Sequence, residues 1–179
     1  GHPVGHLAMI DAAERAHLLD GWNDTAVAYP RDCSLHSLIE AQVQRTPDAT
    51  AVVAEDRTLT YAQLNREANR LAHHLRAQGV RPDDRVGICI ERGWAMVVGL
   101  VAILKSGGAY VPLDPSYPQD RLLHMLGDSA PKVLLTQSKL LPMLQSLEVR
   151  CAVLGRSGPQ RAWAGEADTG VRAKGIGLD

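Results

Sequence analysis

From Arg85 onward the sequence alternates short β-branched apolar runs with stretches of helical periodicity, and few architectures accommodate that alternation. Arg85–Ile90 is one such run, Trp94–Leu104 reads as a helix apolar on most sides, and Ala109–Leu113 is a second run. Pro118–Leu126 reads as a helix with Pro118 in its first turn, where a missing N–H costs little, and Lys132–Thr136 is a third run. Ser138 is expected to cap a further helix, and Arg150–Leu154 to form a last strand. Strand, helix and strand at this spacing predict right-handed βαβ crossovers and a parallel sheet. Near-continuous apolar strands suit a sheet covered on both faces. The expected fold class is α/β.

The chain before Arg85 carries its own boundary signals. Asp11–Asp20 reads as a short helix opened by Asp11 with Glu14 three residues on. A second helix is expected from near Ser34, with Leu35, Leu38, Ile39 and Val43 on one face, stopped before Pro47. Ala51–Ala54 and Thr58–Thr60 read as a hairpin around Glu55-Asp56-Arg57. Thr60 and Gln63 then form a capping box for a helix bearing Leu64, Ala68, Leu71, Ala72 and Leu75. Gly79 stands where a left-handed cap belongs.

Composition excludes several classes of function. With 45% hydrophobic and 22% charged residues the chain has enough apolar mass for a core, and without a single Phe that core must be built from Leu, Val, Ala and Ile. A formal net charge of -1 from interleaved acids and bases leaves no basic stripe for nucleic acid. The longest apolar run, Trp94–Leu104, is too short to span a bilayer, so no membrane association is expected. Gly1-His2-Pro3-Val4-Gly5-His6 has neither the basic head nor the apolar core of a secretory signal. Cys33, Cys89 and Cys151 lie far apart without a Cys-x-x-Cys pair. That pattern fits neither a disulfide framework nor a zinc site, and it points to a reducing cytoplasm.

Each candidate for chemistry has a plainer reading. Gly99–Ser106 ends in Lys105-Ser106 like a P-loop, but Leu104 replaces the second glycine and the lysine falls at a helix end rather than a helix start. A helix C-terminus closed by Gly107-Gly108, with Lys105 favoured by the helix dipole, explains it. Gly175-Ile176-Gly177 has no strand before it and no helix after it. His2 and His6 flank Pro and Gly, while the adjacent His73 and His74 point apart on a helix. Ser106, Ser116 and Ser138 lie in no nucleophile elbow, and Ser116 and Ser138 have work as helix caps. Cys89 falls in a buried strand, and Asp83-Asp84 in the turn after Pro82. No catalytic, cofactor-binding or metal-binding residue is assigned from these patterns.

Several phrases nevertheless resemble one family. Leu59-Thr60-Tyr61-Ala62-Gln63-Leu64 is similar to the first core motif of nonribosomal peptide synthetase adenylation domains. Leu104-Lys105-Ser106-Gly107-Gly108-Ala109-Tyr110-Val111-Pro112-Leu113-Asp114 is similar to the second. Arg45-Thr46-Pro47-Asp48-Ala49, Asn69-Arg70-Leu71-Ala72 and Pro115-Ser116-Tyr117-Pro118 resemble the same family in the same order. Trp22-Asn23-Asp24-Thr25 resembles the linker that follows a condensation domain. Ser106 stands where alanine is commoner in the family, and Ile39 where phenylalanine is. The likeness runs from about Asp11 to Leu135.

The resemblance implies the N-terminal portion of the large subdomain of an adenylate-forming enzyme, with incomplete parallel-sheet βαβ units. It divides the chain into a condensation–adenylation linker (1–30), the N-terminal part of the AMP-binding domain (31–154) and a flexible tail or continuation (155–179). The complete family domain uses ATP and magnesium to turn an amino acid into an aminoacyl-adenylate. It then loads the aminoacyl group on the phosphopantetheine thiol of a carrier domain. The family's Ser/Thr/Gly-rich loop ending in Pro-Lys-Gly and its lid lysine have no counterpart here. Ser129-Ala130-Pro131-Lys132 lacks the glycines, and Leu178-Asp179 falls about where that loop would be approached. The resemblance therefore implies a piece inactive alone, binding no cofactor, whose partners are the condensation domain upstream and the rest of the adenylation domain and carrier downstream. The two motifs present are read as architecture. Two other readings share these residues: a non-catalytic module docking on a synthetase, and part of an acyl-CoA ligase. An incomplete parallel sheet is also expected to self-associate through its open edge and uncovered face.

Overall fold

The computed structural model describes residues 10–55, 57–144 and 151–154. The expectation for 155–179 lies outside the described residues. The chain divides into two units, Gly1–Asp32 and Cys33–Asp179.

In the first unit, α1 (Ala12–Ala16) starts at Asp11, whose carboxylate accepts the Glu14 N–H at 2.7 Å, as the capping pattern predicts. The helix does not simply run on to Asp20; it widens into a π-turn over His17–Gly21 and ends with the His17 and Trp22 rings edge to face. The Asn23 side-chain amide donates to the Leu19 carbonyl at 2.7 Å, satisfying part of the loosened end.

The second unit opens with α2 (Leu35–Arg45), capped by Ser34. β1 (Thr50–Val53) and β2 (Thr58–Thr60) pair antiparallel, and α3 (Tyr61–Ala77) follows directly. The capping box of α3 is complete: the Thr60 N–H donates to Gln63 Oε1 at 2.9 Å and the Gln63 N–H to Thr60 Oγ1 at 3.2 Å. Leu64, Leu71 and Leu75, on one face of α3, are buried, each contributing on the order of 2 kcal/mol by leaving water. Gly79 closes the helix in the left-handed region, with φ 92°.

Then the βαβ region begins with β3 (Arg85–Cys89), α4 (Trp94–Ser106), β4 (Ala109–Pro112) and α5 (Gln119–Ser129). It continues with β5 (Val133–Gln137), a 3-10 turn at Ser138–Leu140, α6 (Leu141–Leu144) and β6 (Cys151–Leu154). The four strands form one parallel sheet in the order β4-β3-β5-β6. The chain moves one way from β3 to β4 and the other way from β4 to β5, so right-handed crossovers deliver α4 and α5 to opposite faces. Alternate strand residues serve two cores accordingly. Val86, Ile88, Val133 and Leu135 pack with α3 and α4, while Cys89 and Leu134 pack with α5 and α6.

Two details shape the sheet. Gly87 leaves room for Leu134, whose Cδ1 would lie 2.8 Å from any added Cβ. The Ala109 N–H donates to the Asp84 carbonyl just before β3 and the Leu113 N–H to the Ile88 carbonyl of β3, both at 2.9 Å, so by strand alternation Tyr110 and Pro112 present their backbones outward. Pro112 has no N–H to offer there.

Two serines depart from the expected capping roles. Ser116 caps no helix: its N–H and hydroxyl both bind the Asp114 carboxylate, and Pro118 precedes α5. Ser138 is the first residue of the 3-10 turn, whose cap position is held by Gln137. In each case a nearer polar partner or a tighter turn wins over the helix-cap geometry.

Candidate functional site

A concavity lies at the carboxyl ends of β3 and β4, the side of a parallel sheet where ligands of α/β proteins bind. Its volume is about 870 Å³. The floor comes from Ile88 and Ile90 at the end of β3 and from Met96 and Leu100 of α4. Leu113, Met125 and Leu140 close the opposite wall, and Tyr110 and Pro112 form the outer lip. An apolar floor with a few polar groups above it is the usual composition of a binding cleft.

The polar rim is held by local bonds. Glu91 is tied down twice: its N–H donates to Gln137 Oε1 at 3.1 Å, and its carboxylate pairs with Lys139. Asp114 accepts the Ser116 N–H at 2.9 Å and the Ser116 hydroxyl at 2.8 Å. These two bonds, the backbone one first, hold its carboxyl below the usual carboxylate range, and the Arg92 guanidinium adds to the effect. The Arg121 guanidinium lies 4.1 Å from the Tyr117 ring centroid, stiffening the same loop. The sequence reading made Ser116 a helix cap, whereas the bonds to Asp114 form an Asx-type turn here.

The other sequence candidates are placed as structural groups. Cys89 is buried, and burial, with the Asp114 charge adding, raises its thiol to about 11; a thiol so protonated is a poor nucleophile. Asp83 takes φ 65° in a turn closed by the Asp84 N–H donating to the Arg81 carbonyl at 3.1 Å. Asp84 accepts from the Arg81 N–H at 2.7 Å and from Lys132 Nζ at 2.9 Å. Among the described residues no group of three His, Cys, Asp or Glu could hold a metal ion.

Lys105 is where the sequence reading fell short. It does stand in the last turn of α4, but its side chain is 0% exposed and its ammonium pairs with Glu40 of α2. The bond spans 65 residues, so no local pattern announces it.

The glycine turn after Lys105 is packed rather than open. A Cβ on Gly107 would lie 3.3 Å from Pro82 Cα, and one on Gly108 would lie 3.1 Å from the Asp84 carbonyl oxygen. The turn is thus packed tightly against the Pro82–Asp84 segment. The three lysines among the described residues, Lys105, Lys132 and Lys139, are each ion-paired.

Comparison with known proteins is consistent across sequence and structure. A family model described as AMP-binding enzyme matches residues 39–174. Malpinin synthetase of Mortierella alpina is 56% identical over 133 residues, which cover 74% of this chain and 2% of that protein. Tyrocidine synthase 3 of Brevibacillus parabrevis is 50% identical over 141 residues, covering 79% of this chain and 2% of the relative. A crystal structure of the nonribosomal peptide synthetase FmoA3 in an AMPPNP-bound form superposes with a TM-score of 0.75 at 33% identity. That match covers 91% of this chain and 17% of the solved one. The chain thus spans only a small part of the relatives it matches.

Proposed function

The chain belongs to the AMP-binding enzyme family, as the N-terminal part of an adenylation domain of the nonribosomal peptide synthetase type, and on that premise we propose that it serves as a scaffold in amino-acid activation. The complete domain would join an amino-acid carboxylate to the α-phosphate of ATP, releasing pyrophosphate. It would then pass the aminoacyl group to a phosphopantetheine thiol on a carrier domain. Charge develops on phosphoryl oxygens in the first step, and it must be met by cations, backbone N–H groups and a metal.

The packing of Gly107-Gly108 against Pro82 and Asp84 carries the scaffold reading. The second family motif builds a tight helix-to-strand turn here, and that turn aims β4 and the Asp114–Tyr117 loop at the cavity. On this reading the later part of the adenylation domain brings the nucleotide-binding and lid groups. Residues 1–30 act as linker to a condensation domain, and the assembly works in the cytoplasm. Among the described residues no helix is long and apolar enough to cross a membrane.

The test is amino-acid-dependent ATP–pyrophosphate exchange by the purified chain, assayed against all twenty common amino acids. No exchange above background is expected. Turnover dependent on one amino acid would overturn the scaffold reading.

A further inference from the structure

We propose that Glu40 and Lys105 form a charge latch that seats α2 on α4 and thereby holds the α4–β4 turn beside the cavity. The latch stands on geometry independent of the family reading. α2 contributes no buried residue; Ile39, half-buried, is its contact with the larger apolar core. The outer face of the helix carries Leu35 and Leu38, both exposed. A helix so lightly held by apolar contact depends on its polar tie. That tie is a carboxylate 34% exposed reaching a fully buried ammonium.

The consequences run in both directions along the chain. Lys105 is followed at once by the turn into β4. There the Ser106 hydroxyl donates to the Ile103 carbonyl at 2.7 Å, and the Gly108 N–H donates to the same carbonyl at 3.1 Å. Tyr110 and Pro112, the outer lip of the cavity, come next. If Glu40 loses its charge, Lys105 remains a buried cation without a counter-charge, which is the costly state of a broken buried pair. The cheapest relief is hydration of the ammonium, by lifting α2 and loosening the end of α4. His36 lies one helical turn before Glu40, with Nε2 3.1 Å from Ser34 Oγ. Burial disfavours its protonation, Glu40 favours it and Lys105 opposes it, so its ring sits within the field of both latch charges.

Hydrogen exchange of the full chain at neutral pH, read by mass spectrometry, tests the latch. With Glu40→Gln, exchange over 35–45 should rise by at least ~100-fold and over 105–113 by ~10-fold, while 133–137 in β5 changes less than ~3-fold. The charge-free double variant E40M/K105M should return 35–45 to within ~10-fold of the wild-type rate, because an apolar pair removes the stranded charge. If Glu40→Gln does not fold while the double variant does, the latch is equally supported. Unchanged exchange at 35–45 or at 105–113 would overturn it. So would an equal rise at 133–137, a double variant no better protected than E40Q, failure of both variants to fold, or a wild-type α2 without protection.

Discussion

Three of the positions that hold the backbone in the left-handed region predict an ordered set of stabilities. Gly79 and Gly107 both have φ 92°, and Ala130, which closes α5, has φ 41°. An L side chain in this region costs roughly 1–2 kcal/mol through the clash of Cβ with the backbone. At Gly79 an added Cβ meets nothing nearer than Lys132 Cε at 3.7 Å, so Gly79→Ala should cost about 1 kcal/mol and no more. At Gly107 the same methyl also meets Pro82 Cα at 3.3 Å, a backbone atom in a turn fixed by the Asp83 N–H bond to the Gly107 carbonyl. Gly107→Ala should therefore cost about 2–3 kcal/mol, the excess being the displacement of that turn. Ala130 already bears the penalty, so Ala130→Gly should gain about 1 kcal/mol despite the added chain entropy. Urea unfolding followed by far-ultraviolet circular dichroism gives the four midpoints. They should rank Gly107→Ala lowest, then Gly79→Ala, wild type and Ala130→Gly, with unchanged slopes. Gly107→Ala no worse than Gly79→Ala would refute the packed-turn argument, and a destabilised Ala130→Gly would refute the backbone argument.

Two further outcomes concern charge. Lys132 holds the Asp84 carboxyl below its usual range, with the Arg81 N–H assisting, so the ionised form is favoured by folding. That contribution is fully present above the unfolded carboxylate value of about 3.9 and is lost as pH falls through the lower folded value. Lys132→Met should lower the melting temperature by about 2 °C at pH 7, a partly exposed pair being weak, and the deficit should shrink in acid. A deficit that grows in acid would refute the assignment. Cys89, raised to about 11, should react with iodoacetamide at pH 8 about 100-fold more slowly in the folded chain than in urea. Peptide mass mapping would expose an error if both rates were equal.

The alternation after Arg85 was enough to predict the α/β class, because apolar runs of strand length and an apolar helix between them have few other arrangements. Caps were legible where one side chain and one backbone group decide them, as at Asp11 and Thr60. Ser116 and Ser138 were misjudged because Asp114 competes for the first and a 3-10 turn absorbs the second. Lys105 shows the deeper limit. Its neighbours in sequence place it at a helix end, and only the docking of α2, set by Ile39 and Glu40, makes it a buried cation. The cavity was invisible for the same reason, since its floor and lip come from β3, α4 and β4 and its rim from bonds across 46 residues.

Pro112 gives the parallel sheet a direction of growth. On the outer side of β4 the only strand N–H turned to a newcomer is that of Tyr110, because Pro112 has none, so a continuous ladder cannot be zipped on there. Any strand joining this sheet is steered to the β6 side, which is also the side synthesised last. A ribosome releasing the chain from its N-terminus would thus present a template already closed to extension along β4.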